Sequence, residues 1–127
     1  MAENTEYYTQ EMENGSIQIS EDVVASVTGM AVLEVEGVCG LSSSIGTDIA
    51  EMLGMKTLSK GVRLSTTETG ALRIDCDVVS KFGQNIFELA KNVQENVKSS
   101  VESVTGLRVA EVNVTVCGIA LPKDSKK

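Results

Sequence analysis

Two aspartates are the first candidates for chemistry in this sequence. Asp75 and Asp77 lie in a stretch of alternating apolar and polar residues, which places both on one face of a predicted strand, about 7 Å apart. Paired carboxylates at this distance serve in acid–base catalysis, and carboxylate oxygens are ligands for divalent cations. A metal site needs more converging carboxylates than this stretch supplies, and Arg73 shares the face. We therefore interpret the pair as solvated surface and predict no metal site.

The cysteines and the lack of histidine restrict catalysis further. Cys39, Cys76 and Cys117 are widely spaced and form no Cys-x-x-Cys pair. Cys76 and Cys117 sit in apolar alternations, where a free cysteine behaves as a small hydrophobic residue, and we expect Cys39 to be the most accessible. Without histidine the chain cannot form Ser–His–Asp or Cys–His groups. We predict no catalytic residues and a protein that is not an enzyme.

Two glycine motifs resemble ligand-binding loops without matching them. Residues 40–47 lack the lysine and the glycine spacing of a phosphate-binding loop. Gly37 and Gly40 have the Gly-x-x-Gly form of a KH loop, but that loop joins two helices and has basic neighbours. The net charge is −7, and residues 1–55 contain no Lys or Arg, which disfavours binding to phosphates. We predict no cofactor and no nucleic acid, and keep RNA binding only as a third hypothesis.

Hydrophobic periodicity predicts five strands and two helices. The strands are residues 16–20, 38–41, 62–66, 72–78 and 108–117, and the helices are residues 20–34 and 85–104. The order is β-α-β-loop-β-β-α-β. Because each element has one apolar side, the simplest burial packs both helices on one face of a mixed sheet. The predicted fold class is α+β, a two-layer sandwich.

The first helix is expected to begin after Ser20, whose hydroxyl can accept a free amide hydrogen of the first turn. Its apolar residues fall mostly on one face: Val23, Val27, Met30, Ala31 and Leu33. The second helix has the stronger period and should end at Gly106.

The polar ends of the chain set the domain boundaries. We predict a disordered acidic tail over residues 1–13, a single α+β domain over residues 14–119 and a disordered tail over residues 120–127. The N-terminus lacks the basic and apolar regions of a signal peptide, and no apolar run approaches the roughly 20 residues of a membrane helix. We expect a cytoplasmic protein.

The candidate interaction surface lies between residues 49 and 60. Methionine adapts to varied surfaces, exposed apolar patches often mark partner sites, and the first cations of the chain fall here. The alternative is a flap folded over the open face of the sheet. The candidate residues are Ile49, Met52, Leu53, Met55, Lys56, Leu58 and Lys60.

Several motifs together resemble a known family. They are Asn-Gly-x-Ile-x-Ile-Ser at residues 14–20, Glu-Val-Glu-Gly-Val-x-Gly at 34–40, Leu-Ser-Lys-Gly-Val at 58–62, Ala-Lys-Asn-Val-Gln-Glu-x-Val at 90–97, and Thr-Gly-Leu-x-Val-x-x-Val-Asn-Val at 105–114. The pattern resembles the alkaline shock protein 23 / general stress protein 24 family of Gram-positive bacteria. Where that family often has Tyr-Gly, this chain has Phe82-Gly83.

The resemblance implies a non-enzymatic cytoplasmic protein of the envelope stress response. It implies protein partners, either a membrane anchor protein or a kinase-like protein, and self-association, so that contact with the membrane is only indirect. The leading hypothesis is an adaptor or scaffold that also forms homo-oligomers. The alternative is an accessory protein that docks a dihydroxyacetone-kinase-like fatty-acid kinase in lipid metabolism.

Overall fold

A computed structural model describes residues 7–41 and 61–121, which contain six strands and two helices. In chain order these are β1 Tyr7–Met12, β2 Gly15–Ser20, α1 Glu21–Leu33, β3 Val38–Leu41, β4 Val62–Thr66, β5 Leu72–Lys81, α2 Ile86–Thr105 and β6 Val109–Ala120. Both helices pack with the apolar face of a mixed sheet into one core. The α+β sandwich is confirmed.

Strand β5 is the centre of the main sheet. Strand β6 runs parallel to it along one edge, as expected of two strands joined by a long helix. The other edge is shared by two antiparallel strands placed end to end. Strand β4 pairs with its first half, from Leu72 to Cys76, and β3 pairs with its second half, from Val78 to Ser80. Leu41 and Gly61 therefore lie close together along this edge, although 19 residues separate them in the sequence.

An N-terminal hairpin corrects the predicted acidic tail. Residues 7–12 of the predicted tail form strand β1, which pairs antiparallel with β2 through a tight turn before Gly15. Tyr8 faces Ile19 in this ladder, and both pack partly against the core. The apolar residues of 7–12 do not alternate, so they provide no strand signal; the strand forms through pairing with β2 and partial burial of Tyr8. At the other end, Ala120 belongs to β6 rather than to the predicted tail.

The two helices differ in how well the sequence specifies their buried face. Helix α2 buries most of the predicted stripe, including Leu89, Val93, Val97 and Val101. Val104, predicted on the same stripe, is instead exposed in the last turn of the helix. Helix α1 begins after its predicted cap, where the Ser20 hydroxyl accepts a hydrogen bond from Val23 N at 3.2 Å.

The buried side of α1 is not the one that the sequence grouped together. The buried apolar residues of α1 are Val24, Ala25, Ala31 and Val32. Ala31 is the one member of the predicted face that is buried. Apolar residues occur nearly all round this helix, so periodicity alone could not select the side that packs.

Candidate functional site

The sheet face opposite the helices carries a row of paired charges. The Arg63 guanidinium donates two hydrogen bonds to the Asp77 carboxylate, at 2.7 and 3.1 Å. Arg73 Nε lies 3.3 Å from the Glu111 carboxylate. These pairs bridge β4 to β5 and β5 to β6 on the polar side of the sheet.

Asp75 and Asp77 share a face, as the sequence predicts, but each has its own partner. Asn113 Nδ2 donates to Asp75 Oδ1 at 2.9 Å, whereas Arg63 holds Asp77. The hydrogen bond from Arg63 keeps the pKa of Asp77 below its usual value. The two carboxylates therefore do not converge on one point where both could bind the same substrate or cation. This geometry favours the interpretation of the pair as solvated surface.

The Arg63–Asp77 pair should make the stability of the fold depend on pH. The pKa of Asp77 in the folded protein lies below the value of about 3.9 in an unfolded chain, so the pair stabilises the fold above that pH. The stabilisation disappears as the pH falls through the lowered pKa. We expect Asp77→Asn to lower the urea midpoint at neutral pH, and the difference from the parent to shrink towards zero in strong acid.

The control for this pH series is Glu68→Gln, which removes an acid from the exposed turn between β4 and β5. It should leave the midpoint nearly unchanged over the same pH range. An Asp77→Asn deficit that stays constant into acid would show that the ion pair is not its cause.

The cysteines occupy two kinds of environment. Cys76 is buried, and this burial, together with neighbouring Asp75 and Asp77, raises the pKa of its thiol to about 12. The thiol therefore stays protonated at neutral pH and is not a nucleophile. Cys39 is exposed as expected. Cys117, expected to be less accessible, is also exposed, because it alternates onto the same face of β6 as the exposed Asn113 and Thr115.

Helix α1 presents an apolar stripe on its outer side. The side chains of Val23, Met30 and Leu33 are 44%, 51% and 42% exposed, and helical geometry places them on the same side of the helix. A helix that is apolar on both sides is normally covered on both. Among the described residues, nothing covers this outer side.

Acidic residues surround the two ends of this stripe. Asp22 lies in the first turn of α1, and Glu34 and Glu36 follow its last turn. A groove between this end of α1 and helix α2 is lined by Glu34, Glu36, Glu95 and three uncharged residues. The groove at this end of α1 has no Lys or Arg in its lining. At the other end, Arg63 lines a second groove with Glu21 and Asp22, so a cation lies near the acids there.

The outer edge of β6 is blocked over its first residues by side chains from α2. The Val109 amide donates to Glu102 at 3.0 Å, and Lys98 donates to the Val109 carbonyl at 3.1 Å. Gln94 donates to the Val112 carbonyl at 2.9 Å. The Val109 amide is the main cause of a lowered pKa of Glu102, so this carboxylate is charged when it caps the edge.

The predicted interaction residues between Ile49 and Lys60 lie outside the described residues. The structure adds the α1 stripe as a candidate surface, and it shows which edge of β6 has no partner strand among the described residues. The sequence of α1 could have revealed this stripe. The helix contains four apolar residues in addition to the four that it buries, and these must lie on another side. The β6 edge depends on strand pairing, which no local pattern reveals.

Comparison with protein families gives a match over almost all of the described chain. A model of the alkaline shock protein 23 family, described as having a cell envelope-related function, matches residues 9–121. The chain belongs to the alkaline shock protein 23 family. The resemblance seen in the sequence motifs is thereby confirmed.

Relatives of this family member occur in Gram-positive bacteria. An uncharacterized protein of Streptococcus pyogenes, Spy1614, is 37% identical over 108 residues, which cover 84% of this chain and 88% of the relative. The uncharacterized proteins YloU and YqhY of Bacillus subtilis are 36% and 31% identical, and the matches cover 83% of this chain and 88% and 77% of those proteins.

Solved structures similar to this family member include variants of MamM CTD. One, in a nickel form, is 15% identical with a TM-score of 0.47, and the match covers 76% of this chain and 96% of that one. Another, in a copper form, is 14% identical with the same TM-score and covers 76% and 95%.

No helix within residues 7–41 and 61–121 has the length and apolar character needed to cross a membrane. In the same part of the chain, no three His, Cys, Asp or Glu side chains form a group that could hold a metal ion.

Proposed function

We propose that this protein is a non-catalytic adaptor of the envelope stress response that acts from the cytoplasm by binding protein partners and copies of itself. The observation that carries the proposal is the apolar outer face of α1 with acids at both ends. Contiguous exposed apolar surface of this kind is typical of protein docking sites. The charged groups of the open sheet face support the proposal as well, because they are paired with one another rather than arranged around a substrate.

The charge of the α1 face indicates the chemistry of its partner. The apolar side of an amphipathic segment would pack on Val23, Met30 and Leu33. Its cations would be attracted by the carboxylates of Asp22, Glu34 and Glu36. Basic segments next to the membrane are a general property of the cytoplasmic parts of membrane proteins. We therefore assign the α1 face to a basic, amphipathic cytoplasmic segment of a membrane-anchored protein.

The same charge argues against direct attachment to lipid. The cytoplasmic leaflet is anionic and attracts basic protein surfaces. A chain of net charge −7, with its net negative charge in residues 1–55, which contain α1 and no Lys or Arg, is repelled by such a surface. Proximity to the envelope is then best supplied by a protein partner, in agreement with the cell envelope-related description of the family.

The test is co-purification of the untagged protein from native cells, with Met30→Glu as the variant. A carboxylate in the middle of the stripe adds charge and removes apolar contact, so we expect at least about a tenfold loss of captured partner, as for a central interface residue. Val104→Glu is the matched control, since Val104 is 65% exposed on the other helix. Circular dichroism should show that both variants are folded.

The identity of the captured protein decides between the two functions. A membrane-anchored protein with a basic cytoplasmic segment, lost with Met30→Glu and kept with Val104→Glu, supports the adaptor. Recovery of a dihydroxyacetone-kinase-like protein instead would replace the adaptor by the accessory role in lipid metabolism. Equal loss with both variants would remove α1 as the docking face.

A further inference from the structure

The outer edge of β6 is the long unpaired strand edge of the main sheet. Among the described strands, β6 pairs only with β5, so its second edge has no partner strand. Proteins protect such edges with lysine, proline, bulges or covering groups. The 12 residues from Val109 to Ala120 contain no Lys, Arg or Pro. The edge of β6 is instead protected from pairing with another strand at two places, one at each end of a regularly paired stretch.

The first protection comes from helix α2. Gln94, Lys98 and Glu102 occupy the outward-facing backbone groups of Val109 and the carbonyl of Val112. The second is the irregularity at Cys117, where the pairing of β6 with β5 shifts. Between them the pairing is regular from Glu111 to Val116. Because outward-facing residues alternate, the backbone groups of Val114 and Val116 point to the same side as the Val112 carbonyl.

We propose that this edge pairs antiparallel with the same edge of a second copy, about a two-fold axis at Val114. The open run extends from Val112 to Val116, and Val114 is its midpoint. A two-fold axis there places Val114 opposite the partner's Val114 and Val112 opposite the partner's Val116. Each facing pair of outward-directed residues exchanges two backbone hydrogen bonds. The inference specifies the self-association that the proposed function contains, and rests on it.

The side chains of the open run are complementary to themselves in this register. On the helix-bearing face every facing pair joins two valines, which are favourable cross-strand neighbours. On the polar face Asn113 meets the partner's Thr115, and both are uncharged. Glu111 lies beyond the run and does not meet its own copy. With the axis at Val114, only the last residues of the partner strand, beyond its irregularity at Cys117, reach the stretch blocked by Lys98 and Glu102. An axis nearer to Val109 would bring the regular part of the partner strand against these side chains.

The Val112 carbonyl needs no rearrangement to take part. A carbonyl oxygen has two lone pairs, so it can accept from the partner's Val116 while it keeps its bond to Gln94. The two main sheets would then form one continuous sheet, with the helices of both copies on the same face. The outer face of α1 is not part of this contact and stays available to a different partner.

The first test measures the oligomeric state of the full chain by sedimentation over a dilution series. We expect a dimer that dissociates on dilution, and at least a tenfold higher dissociation constant for Val114→Pro. Proline removes an amide hydrogen that faces away from β5, so the β5–β6 ladder keeps its hydrogen bonds. A parent protein that stays monomeric up to high micromolar concentration would overturn the proposal.

The second test does not depend on how well a proline variant folds. In a Cys39→Ser, Cys117→Ser background, Val114→Cys places two thiols in facing positions, with Cα atoms about 5.5 Å apart, within the disulfide range. Mild oxidation should give a covalent dimer. Ala110→Cys, on the same strand within the blocked stretch, is the control and should give little. Equal crosslinking of the two variants would reject the register.

The outcomes of these tests are separate from those for the α1 face. A monomer, or a dimer that Val114→Pro does not weaken, rejects pairing through β6 and leaves capture through Met30 unaffected. Loss of capture with Met30→Glu in a protein that still dimerises supports two independent surfaces.

Discussion

Replacing Gly37 by alanine should be among the most destabilising single changes in the chain. Gly37 has a φ of +97°, and an added Cβ would lie 2.6 Å from Gln84 Oε1 and 2.9 Å from Leu89 Cδ1. Gln84 is exposed and can move, but Leu89 is 3% exposed and is held in the core. Backbone strain of about 1–2 kcal/mol and overpacking of about 1–3 kcal/mol together predict a loss of about 2–5 kcal/mol.

Gly70→Ala is the matched control for Gly37→Ala. Gly70 has a similar φ of +88°, but no atom lies within 4 Å of its added Cβ. It should therefore show the backbone strain alone, about 1–2 kcal/mol. Urea unfolding of both variants measures the difference. Equal losses would mean that the contact with Leu89 relaxes without cost, which contradicts the packing argument.

The second large effect is expected for Ile74→Ala in the centre of β5. Ile74 is 0% exposed and faces Leu64 on one neighbouring strand and Val112 on the other. Truncating a fully buried isoleucine to alanine leaves a cavity and typically costs about 2–5 kcal/mol. Because a domain of this size has a total stability of about 5–15 kcal/mol, the variant should melt well below the parent.

Ile17→Ala makes the same chemical change on an exposed strand. Ile17 is 51% exposed near the tip of the β1–β2 hairpin, so its truncation should change stability by less than about 0.5 kcal/mol. Thermal and urea unfolding of the two variants should separate them clearly. A comparable loss at Ile17 would show that the hairpin tip is covered by something other than solvent.

Much of the fold was accessible from the sequence because its strongest signals are local. Alternation in β5 separates the buried Ile74 and Cys76 from Arg73 and Asp77, and the structure places the two sets on opposite faces. The stripe of α2 and the stop at Gly106 are equally local, since Gly106 adopts a φ of +77° where the helix ends. The order of elements follows from these signals.

The missing parts depend on contacts that are distant in sequence. Strand β1 forms because it pairs with β2 and because Tyr8 packs partly against the core. Neither contact produces a hydrophobic pattern in the sequence of residues 7–12. The end-to-end placement of β3 and β4 is set by the length of β5. The exposed side of α1 depends on which of two apolar sides the sheet selects. Sequence patterns therefore reveal that α1 has a second apolar side and that residues 108–117 form a strand, but not which side or edge stays exposed.

The parallel pairing of β5 with β6 has a consequence for how the protein is made. Strand β5 leaves the ribosome well before its parallel partner, because residues 82–120 must still be translated to complete β6. At about 5–20 residues per second this delay lasts roughly 2–8 s. During that time the nascent chain displays one whole edge of its central strand. Synthesis of this protein therefore contains a vulnerable interval in which a chaperone has a defined segment to shield.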